Sequence, residues 1–181
     1  MDIETRARDI KLVIFDVDGV LTNGQIIIGR DGESAKEFHA QDGLGIAIAH
    51  QAGLKTAIIT GRKSDMVRLR CTELNVADVY QGTMSKTAAL QELADKHKLN
   101  LAEIGYVGDD LIDLPVMVQV GLACAVANAV PEVREHAHYV TRNAGGSGAA
   151  REVIEMILKA QNKWTDIIQA YVRAVPAGLK Q

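Results

Sequence analysis

Residues 11–22, Lys-Leu-Val-Ile-Phe-Asp-Val-Asp-Gly-Val-Leu-Thr, constrain this chain more than any other stretch. Lys11 to Phe15 is a short apolar run, partly β-branched, that stops abruptly in acid. That is the pattern of a strand buried on both faces of a parallel sheet. Asp16 and Asp18 follow at its carboxyl end, where open α/β sheets bind their ligands. Two carboxylates one residue apart behind a buried strand are unfavourable unless positive charge sits on them. A hard cation meets that need, and Mg²⁺ takes one or two carboxylates and leaves room for a phosphate. Gly19 lets the backbone turn sharply away. Asp-Gly is also ordinary turn chemistry, so the same residues read equally well as a solvated strand-to-helix turn.

The rest of the chain alternates strand and helix patterns. Gln25–Gly29 and Ser34–His39 flank Arg30-Asp31-Gly32-Glu33, a hairpin signal. Its three consecutive isoleucines need a packing partner, because a lone two-stranded hairpin is not stable. A helix is expected over 43–52, with Asp42 as N-cap and Gly53 as its stop. Strand 55–59 ends in Thr60-Gly61-Arg62, and Ser64 caps a helix to Leu74. Val79-Tyr80 is a short strand, and Ser85 caps a helix over 86–97. Strand 104–107 ends in Gly108-Asp109-Asp110, before a short helix over 111–118 that carries Pro115. Strand 122–126, a helix over 131–136 and a strand remnant at 139–140 come next. Gly145-Gly146-Ser147-Gly148 follows no long strand and lacks a lysine, so it reads as a hinge rather than a phosphate loop. A helix over 149–161 and an amphipathic stretch over 164–172 complete the chain. The pattern predicts an α/β fold, a doubly wound, mostly parallel, Rossmann-like sheet. The expected organisation is a core over 1–162, with a hairpin insertion at about 20–42, and a helical tail over 163–181.

Composition narrows the function classes. The 181 residues are 48% hydrophobic but only 4% aromatic, so the core is built from Ile, Val, Leu and Ala. Net charge is −3 and no basic block exists, which argues against a nucleic-acid partner. No signal-peptide h-region is expected at the start, and the longest apolar stretch, 116–127, is broken by Gln119 and Gly121. Cys71 and Cys124 are far apart and in no metal spacing, which fits buried thiols in a reducing cytoplasm. The five histidines show no ligand spacing either.

Three predicted strands thus end in polar sets: Asp16 and Asp18, then Thr60, then Asp109 and Asp110. All would project from one edge of a parallel sheet, with Lys86 at the start of a nearby helix. A carboxylate nucleophile, a cation site, a hydroxyl and an ammonium to receive phosphoryl oxygens, and a second acid for the leaving alcohol are the parts of phosphoryl transfer. Taken singly, each has a plainer reading. Lys86 is an ordinary first-turn lysine, Thr60 a helix cap, Arg62 and Arg70 solvated helix charges, and Asp113 a surface ion-pair partner.

Together these residues resemble the haloacid dehalogenase superfamily of phosphohydrolases. Asp16-Val17-Asp18-Gly19-Val20 matches its first motif, Thr60 its second, Lys86 its third, and Gly108-Asp109-Asp110 its fourth. The resemblance implies Asp16 as nucleophile and Asp18 as general acid/base. It implies Mg²⁺ held by Asp16, the carbonyl of Asp18 and Asp109, with Asp110 or Asp113 supporting the metal or Lys86. Asp18 to Gly24, Phe38 to Gly43 and Ile59 to Arg62 further resemble the family of 3-deoxy-D-manno-octulosonate 8-phosphate phosphatases. That resemblance implies a hairpin in place of a cap domain, a homotetramer, a sugar acid phosphate as substrate, and a place in lipopolysaccharide precursor synthesis in the cytoplasm. It places Gly61, Arg62, Arg70, Asp42 and Gly43 near the substrate. Asn23 and His39 receive no role.

Three alternatives stand beside this reading. A phosphatase for another nonulosonate, such as a 9-phosphate, shares every motif. A receiver-type signalling domain shares the acidic cluster, Thr and Lys, but places its phosphorylated Asp on a middle strand after an acidic pair. A non-catalytic relative would be expected to have lost Asp16, Asp18, Lys86 or Asp109, all of which are present.

Overall fold

The apolar run after Lys11 forms β1 (Leu12–Phe15), every residue of which is buried. It lies inside a six-stranded sheet of order β5-β4-β1-β6-β7-β8 in a computed structural model that describes residues 2–30, 32–83 and 85–173. The other strands of that sheet are β4 (Lys55–Thr60), β5 (Asp78–Gln81), β6 (Ile104–Gly108), β7 (Leu122–Ala125) and β8 (Tyr139–Val140). Every pairing in it is parallel. The chain builds outward from β1 through β4 to β5, then crosses to β6 and builds the other way. The switch point therefore falls between β1 and β6, where doubly wound sheets open a crevice. The sheet confirms the predicted α/β doubly wound class.

The antiparallel hairpin, β2 (Ile27–Gly29) with β3 (Gly32–Ala35), forms a separate sheet with a register shift between Ile27 and Ile28. Its strands are shorter than expected, and Asp31 of the expected turn lies outside the described residues. Ile26, Ile27 and Ile28 are 42%, 40% and 74% exposed.

Helices cover both faces: α1 (Ile3–Arg8), α2 (Ala40–Gln51), α3 (Asp65–Glu73), α4 (Lys86–His97), α5 (Leu114–Met117), α6 (Pro131–His136), α7 (Ala149–Ala160) and α8 (Trp164–Arg173). Ser64 and Ser85 cap α3 and α4 as expected, accepting from Val67 N and Ala88 N. No pattern in the sequence announces α1, a helix of six residues. Asp2 caps it by accepting from Thr5 N at 2.8 Å, and Arg6 ties it to the Gly121 carbonyl at 2.7 Å. The expected helix over 111–118 is instead a 3₁₀ turn (Leu111–Asp113) running into α5, with Pro115 in the first turn of α5 where its missing N–H does no harm.

Two expectations are corrected by the amino end of α7. Asp42 does not cap α2, which starts at Ala40 after His39; it sits inside the first turn. Its buried carboxylate instead accepts from Gly148 N at 3.2 Å and Arg151 N at 2.8 Å. α7 has no capping side chain of its own, so its orphan N–H groups are satisfied by a carboxylate from α2. The loop at 145–148 is likewise no hinge. Gly146 N donates to Val20 O at 2.9 Å and Gly145 N to Asn128 Oδ1 at 2.8 Å. A Cβ on Gly145 would stand 1.6 Å from Gly19 O, so the loop is packed backbone against backbone behind the turn that follows β1. Glu152 of α7 fixes the approach to it, accepting from Arg142 N at 3.0 Å, Asn143 N at 3.1 Å and Tyr139 OH at 2.7 Å.

Within α8, Trp164 and Ile167 pack on the core while Ile168, Tyr171 and Val172 stay exposed. Residues 174–181 of the expected tail lie outside the described residues. Among the described residues, no helix is long and apolar enough to cross a membrane.

Candidate active site

Three adjacent strands deliver the reactive groups. Asp16 leaves the end of β1, Thr60 is the last residue of β4, and Asp109 follows β6. With Asp18, Gly61 and Arg62 they line a cleft of about 250 Å³ whose apolar walls are Ile26 and Ile112. A larger groove of about 590 Å³ lies at the opposite edge of the sheet, by Lys11, Leu54 and Glu103. It gathers no comparable set of convergent reactive groups, so the smaller cleft is the site.

Asp16 is 4% exposed. Its Oδ1 accepts from Val17 N at 2.7 Å, and its Oδ2 meets Lys86 Nζ at 2.7 Å. Lys86 is buried and also donates to Asp113 Oδ1 at 2.7 Å and Tyr106 OH at 3.2 Å. Asp113 is fully buried, and it organises this end of the sheet. It accepts from Tyr106 OH at 2.6 Å, Asp109 N at 2.9 Å and Asp110 N at 3.2 Å. The 3₁₀ turn is what carries Asp113 back under Lys86. Asp110, by contrast, is exposed and bonds locally to Leu111 N at 2.7 Å.

One carboxylate oxygen each from Asp16, Asp109 and Asp113 lies within 4.8 Å of the others. A single lysine cannot neutralise three carboxylates. Burial, and next the Asp113 charge, push Asp16 up to about 6 against the pull of Lys86. Burial, and next Asp113 and Asp16, push Asp109 up to about 7. Burial alone would lower Lys86, but Asp16 and Asp113 outweigh it and hold the ammonium above its ordinary value. Burial, and next Asp113, raise Tyr106 well above its ordinary value, so it serves as a donor. Asp109 Oδ1 is buried with no hydrogen-bond partner. An oxygen-only donor set short of positive charge, with one orphaned oxygen, fits a hard divalent cation. Gly19 makes room for the Asp109 carboxylate: its φ is +89°, and a Cβ there would stand 2.0 Å from Asp109 Oδ2.

Asp18 behaves differently. Its carboxylate is not part of that cluster but turns toward the hairpin, bonded to Lys36, with Arg62 Nε at 3.8 Å from its other oxygen. Of the residues expected near the substrate, Gly61 and Arg62 line the cleft and Arg70, Asp42 and Gly43 do not. Asp42 is bonded to α7, as described. The Arg70 guanidinium crosses close over Gly43, stands 5.9 Å from the Phe38 ring and pairs with Glu73 at 2.8 Å. Sequence reasoning missed Tyr106, Lys36 and Glu33. Tyr106 looked like one more apolar strand residue. Glu33 and Lys36 carried one available signal, charge placed on a hairpin that has to pack on something.

Residues 66–153 match the family model for haloacid dehalogenase-like hydrolases. The 3-deoxy-D-manno-octulosonate 8-phosphate phosphatase KdsC of Escherichia coli K12 is 48% identical over 162 residues, 90% of this chain and 86% of the relative. The crystal structure of the same-named phosphatase from Yersinia pestis superposes with TM-score 0.89 at 45% identity, covering 91% of this chain and 89% of that one. The same-named phosphatase from Moraxella catarrhalis, in complex with magnesium ion, phosphate ion and KDO, superposes with TM-score 0.91 at 43% identity, covering 93% and 97%.

Proposed function

The chain belongs to the haloacid dehalogenase-like hydrolases, in the family of 3-deoxy-D-manno-octulosonate 8-phosphate phosphatases, and on that premise we propose that it hydrolyses the 8-phosphate of 3-deoxy-D-manno-octulosonate. The observation that carries the reading is Asp16: a buried carboxylate at the switch point, 2.7 Å from Lys86 and flanked by the Asp109 and Asp113 carboxylates.

Asp16 is the nucleophile. One of its oxygens attacks phosphorus, the bond from phosphorus to the sugar oxygen breaks, and an aspartyl-phosphate forms on Asp16. Asp18 gives its proton to the departing sugar oxygen and then takes one from the water that hydrolyses the aspartyl-phosphate, releasing phosphate. Thr60 and Lys86 donate to the phosphoryl oxygens as charge develops on them. Asp113 and Tyr106 hold Lys86 in place for this. Asp16 and Asp109, with the Asp18 carbonyl, would hold Mg²⁺, and Asp110 supports the turn that carries Asp109. When bound, Mg²⁺ neutralises the phosphate so that one anion can approach another. Arg62 at the rim reads the substrate's second negative group, and a guanidinium suits a carboxylate for that purpose.

We further propose a homotetramer in which hairpins associate. The exposed isoleucines at 26–28 and the unpaired hairpin edges support this. The free, buried Cys71 and Cys124 support the cytoplasm. The chain is then one core over 1–162 with a hairpin insertion and a helical tail. The test is a phosphate-release assay on the 8-phosphate, a nonulosonate 9-phosphate and an aryl phosphate, with Mg²⁺ and with excess chelator. Preference for the 8-phosphate, lost with chelator, is expected. Full activity in chelator, or preference for the 9-phosphate, overturns the reading.

A further inference from the structure

The hairpin reaches back to the cleft through charge rather than through its isoleucines. Lys36, one residue beyond β3, has a side chain only 1% exposed. Its ammonium is bonded to Asp18 Oδ1 and lies 3.1 Å from Glu33 Oε1. Glu33 in turn accepts from the Ser64 hydroxyl, just before α3. A lysine covered this completely is unfavourable unless its charge is matched. Here two carboxylates share the match, Glu33 of the hairpin itself and Asp18, the group that serves the leaving oxygen. No step described so far uses Lys36 or Glu33.

We propose that Lys36 is a positioning residue for Asp18, so that docking of the hairpin sets the rotamer of the proton-transfer carboxylate. This rests on the reading of Asp18 as acid and base. Lys36 holds Oδ1 while Arg62 Nε stands 3.8 Å from Oδ2, and together they restrict rotation of the carboxylate. Glu33 and Ser64 fasten the hairpin to the loop after Thr60-Gly61-Arg62. Docking of the hairpin and aiming of the acid then rest on the same contacts. Without Lys36, Asp18 keeps its carboxyl group but loses the partner that aims it. The loss falls on reactions that need a proton delivered and spares those that do not, because orientation and proton transfer act together.

The experiment compares kcat/KM, which reports the steps through departure of the alcohol, on a plain alkyl phosphate and on para-nitrophenyl phosphate. Neither carries a carboxylate, so recognition of substrate charge does not enter. The Mg²⁺-loaded full chain is assayed as Lys36→Met, Lys36→Arg and Glu33→Gln, with Asp18→Asn as reference. General acid catalysis is worth roughly 10²–10⁴, and Lys36→Met should lose about tenfold or more of that on the alkyl ester with little change on the aryl ester. Lys36→Arg should recover most of the loss, and Glu33→Gln should show a smaller loss of the same kind. Met keeps most of the volume of the covered Lys36 side chain and Arg keeps its charge, so these variants should fold, and a Tm for each checks it. Equal losses on both esters, or no loss, would show that Lys36 only fastens the hairpin. If Asp18→Asn itself shows no dependence on the leaving group, the assignment of Asp18 fails first. If Asp18→Asn shows it and Lys36→Met does not, only the positioning role falls.

Discussion

Gly145→Ala tests whether the loop before α7 positions the catalytic turn. The added Cβ would stand 1.6 Å from Gly19 O and 3.1 Å from Val20 N, where 3.4 Å begins ordinary contact. One of the two backbones has to retreat by about 1.8 Å, because neither contact is the yielding end of a side chain. The Gly145 side is fastened by Asn128 and, through Gly146 N, to Val20 O, so the turn carrying Asp18 and Gly19 moves with it. Overpacking costs about 1–3 kcal/mol. At roughly 2–4 °C per kcal/mol for a chain of this size, that is a fall in Tm of about 2–12 °C. A misplacement of about 1 Å near the chemistry is worth on the order of 10² in rate, and kcat/KM for the sugar phosphate should fall by at least that much. Gly121→Ala is the control. Its Cβ would stand 1.9 Å from Ala102 O, a comparable insult, but just before β7 at the far edge of the sheet. It should lower Tm comparably and leave kcat/KM per folded molecule unchanged. Thermal unfolding and steady-state kinetics on the same preparations decide the matter. A fully active Gly145→Ala, or a Gly121→Ala that loses activity as badly, would refute the buttress.

Asp16→Asn keeps the shape of the nucleophile but removes the attacking anion, so it should fold and lose at least ~10³ in kcat on every phosphate ester; substantial turnover would sink the assignment. Arg62→Ala should raise KM for the sugar acid phosphate far more than for an aryl phosphate, whereas Arg70→Ala, outside the cleft of the single chain, should do so only if association brings it to a neighbour's site; measuring both in the assembled enzyme separates the cases. Glu152 supplies the pH prediction. Burial pushes its carboxyl up, but hydrogen bonds from Arg142 N, Tyr139 OH and Asn143 N outweigh that and hold it below its ordinary value. A depressed acid contributes stability above its unfolded pKa and loses it as pH falls through the folded one. The Tm gap between the parent chain and Glu152→Gln should therefore be full near pH 7 and close as pH drops below about 4.5, the usual glutamate range; a gap that is constant with pH would show that the charge does not matter.

Elements whose residues answer to period and end in punctuation were legible in the chain. β1, β4 and β6 are short apolar runs closed by Asp, Thr and Asp, and one rule of α/β sheets places all three at one edge. Ser64 and Ser85 declared their helices in the same local way. Partnerships across the chain were not legible. Asp42 precedes a helical pattern and reads as its cap, yet its true partners are Gly148 N and Arg151 N, more than a hundred residues away. Gly145 to Gly148 has the composition of a hinge, and only the tertiary contact with Gly19 shows why no side chain fits there. Tyr106 alternates correctly for a buried strand, and its hydroxyl matters only because a 3₁₀ turn returns Asp113 beneath it.

The cluster also shows where this fold trades stability for chemistry. Lys86, Asp16 and Asp113 are buried together, and well-packed apolar residues would do as well or better for the fold alone. Asp109 adds a third carboxylate with an orphaned oxygen, and among the described residues Lys86 is the one cation paired with the cluster. Burial first, and then repulsion among the carboxylates, raise Asp16 and Asp109, and a bound cation offsets both. Affinity for the ion and instability of the metal-free site are thus two readings of one charge imbalance, and a ligand that binds only the folded state stabilises it by mass action. Asp18 stands outside that account. Lys36, from the end of the hairpin, and Arg62, from the loop after β4, match its charge. On the proposed roles, the nucleophile is set by the sheet and the proton donor by the hairpin. A change in the hairpin can alter which leaving groups and substrates are served while Asp16, Lys86 and Asp109 stay where the strands put them.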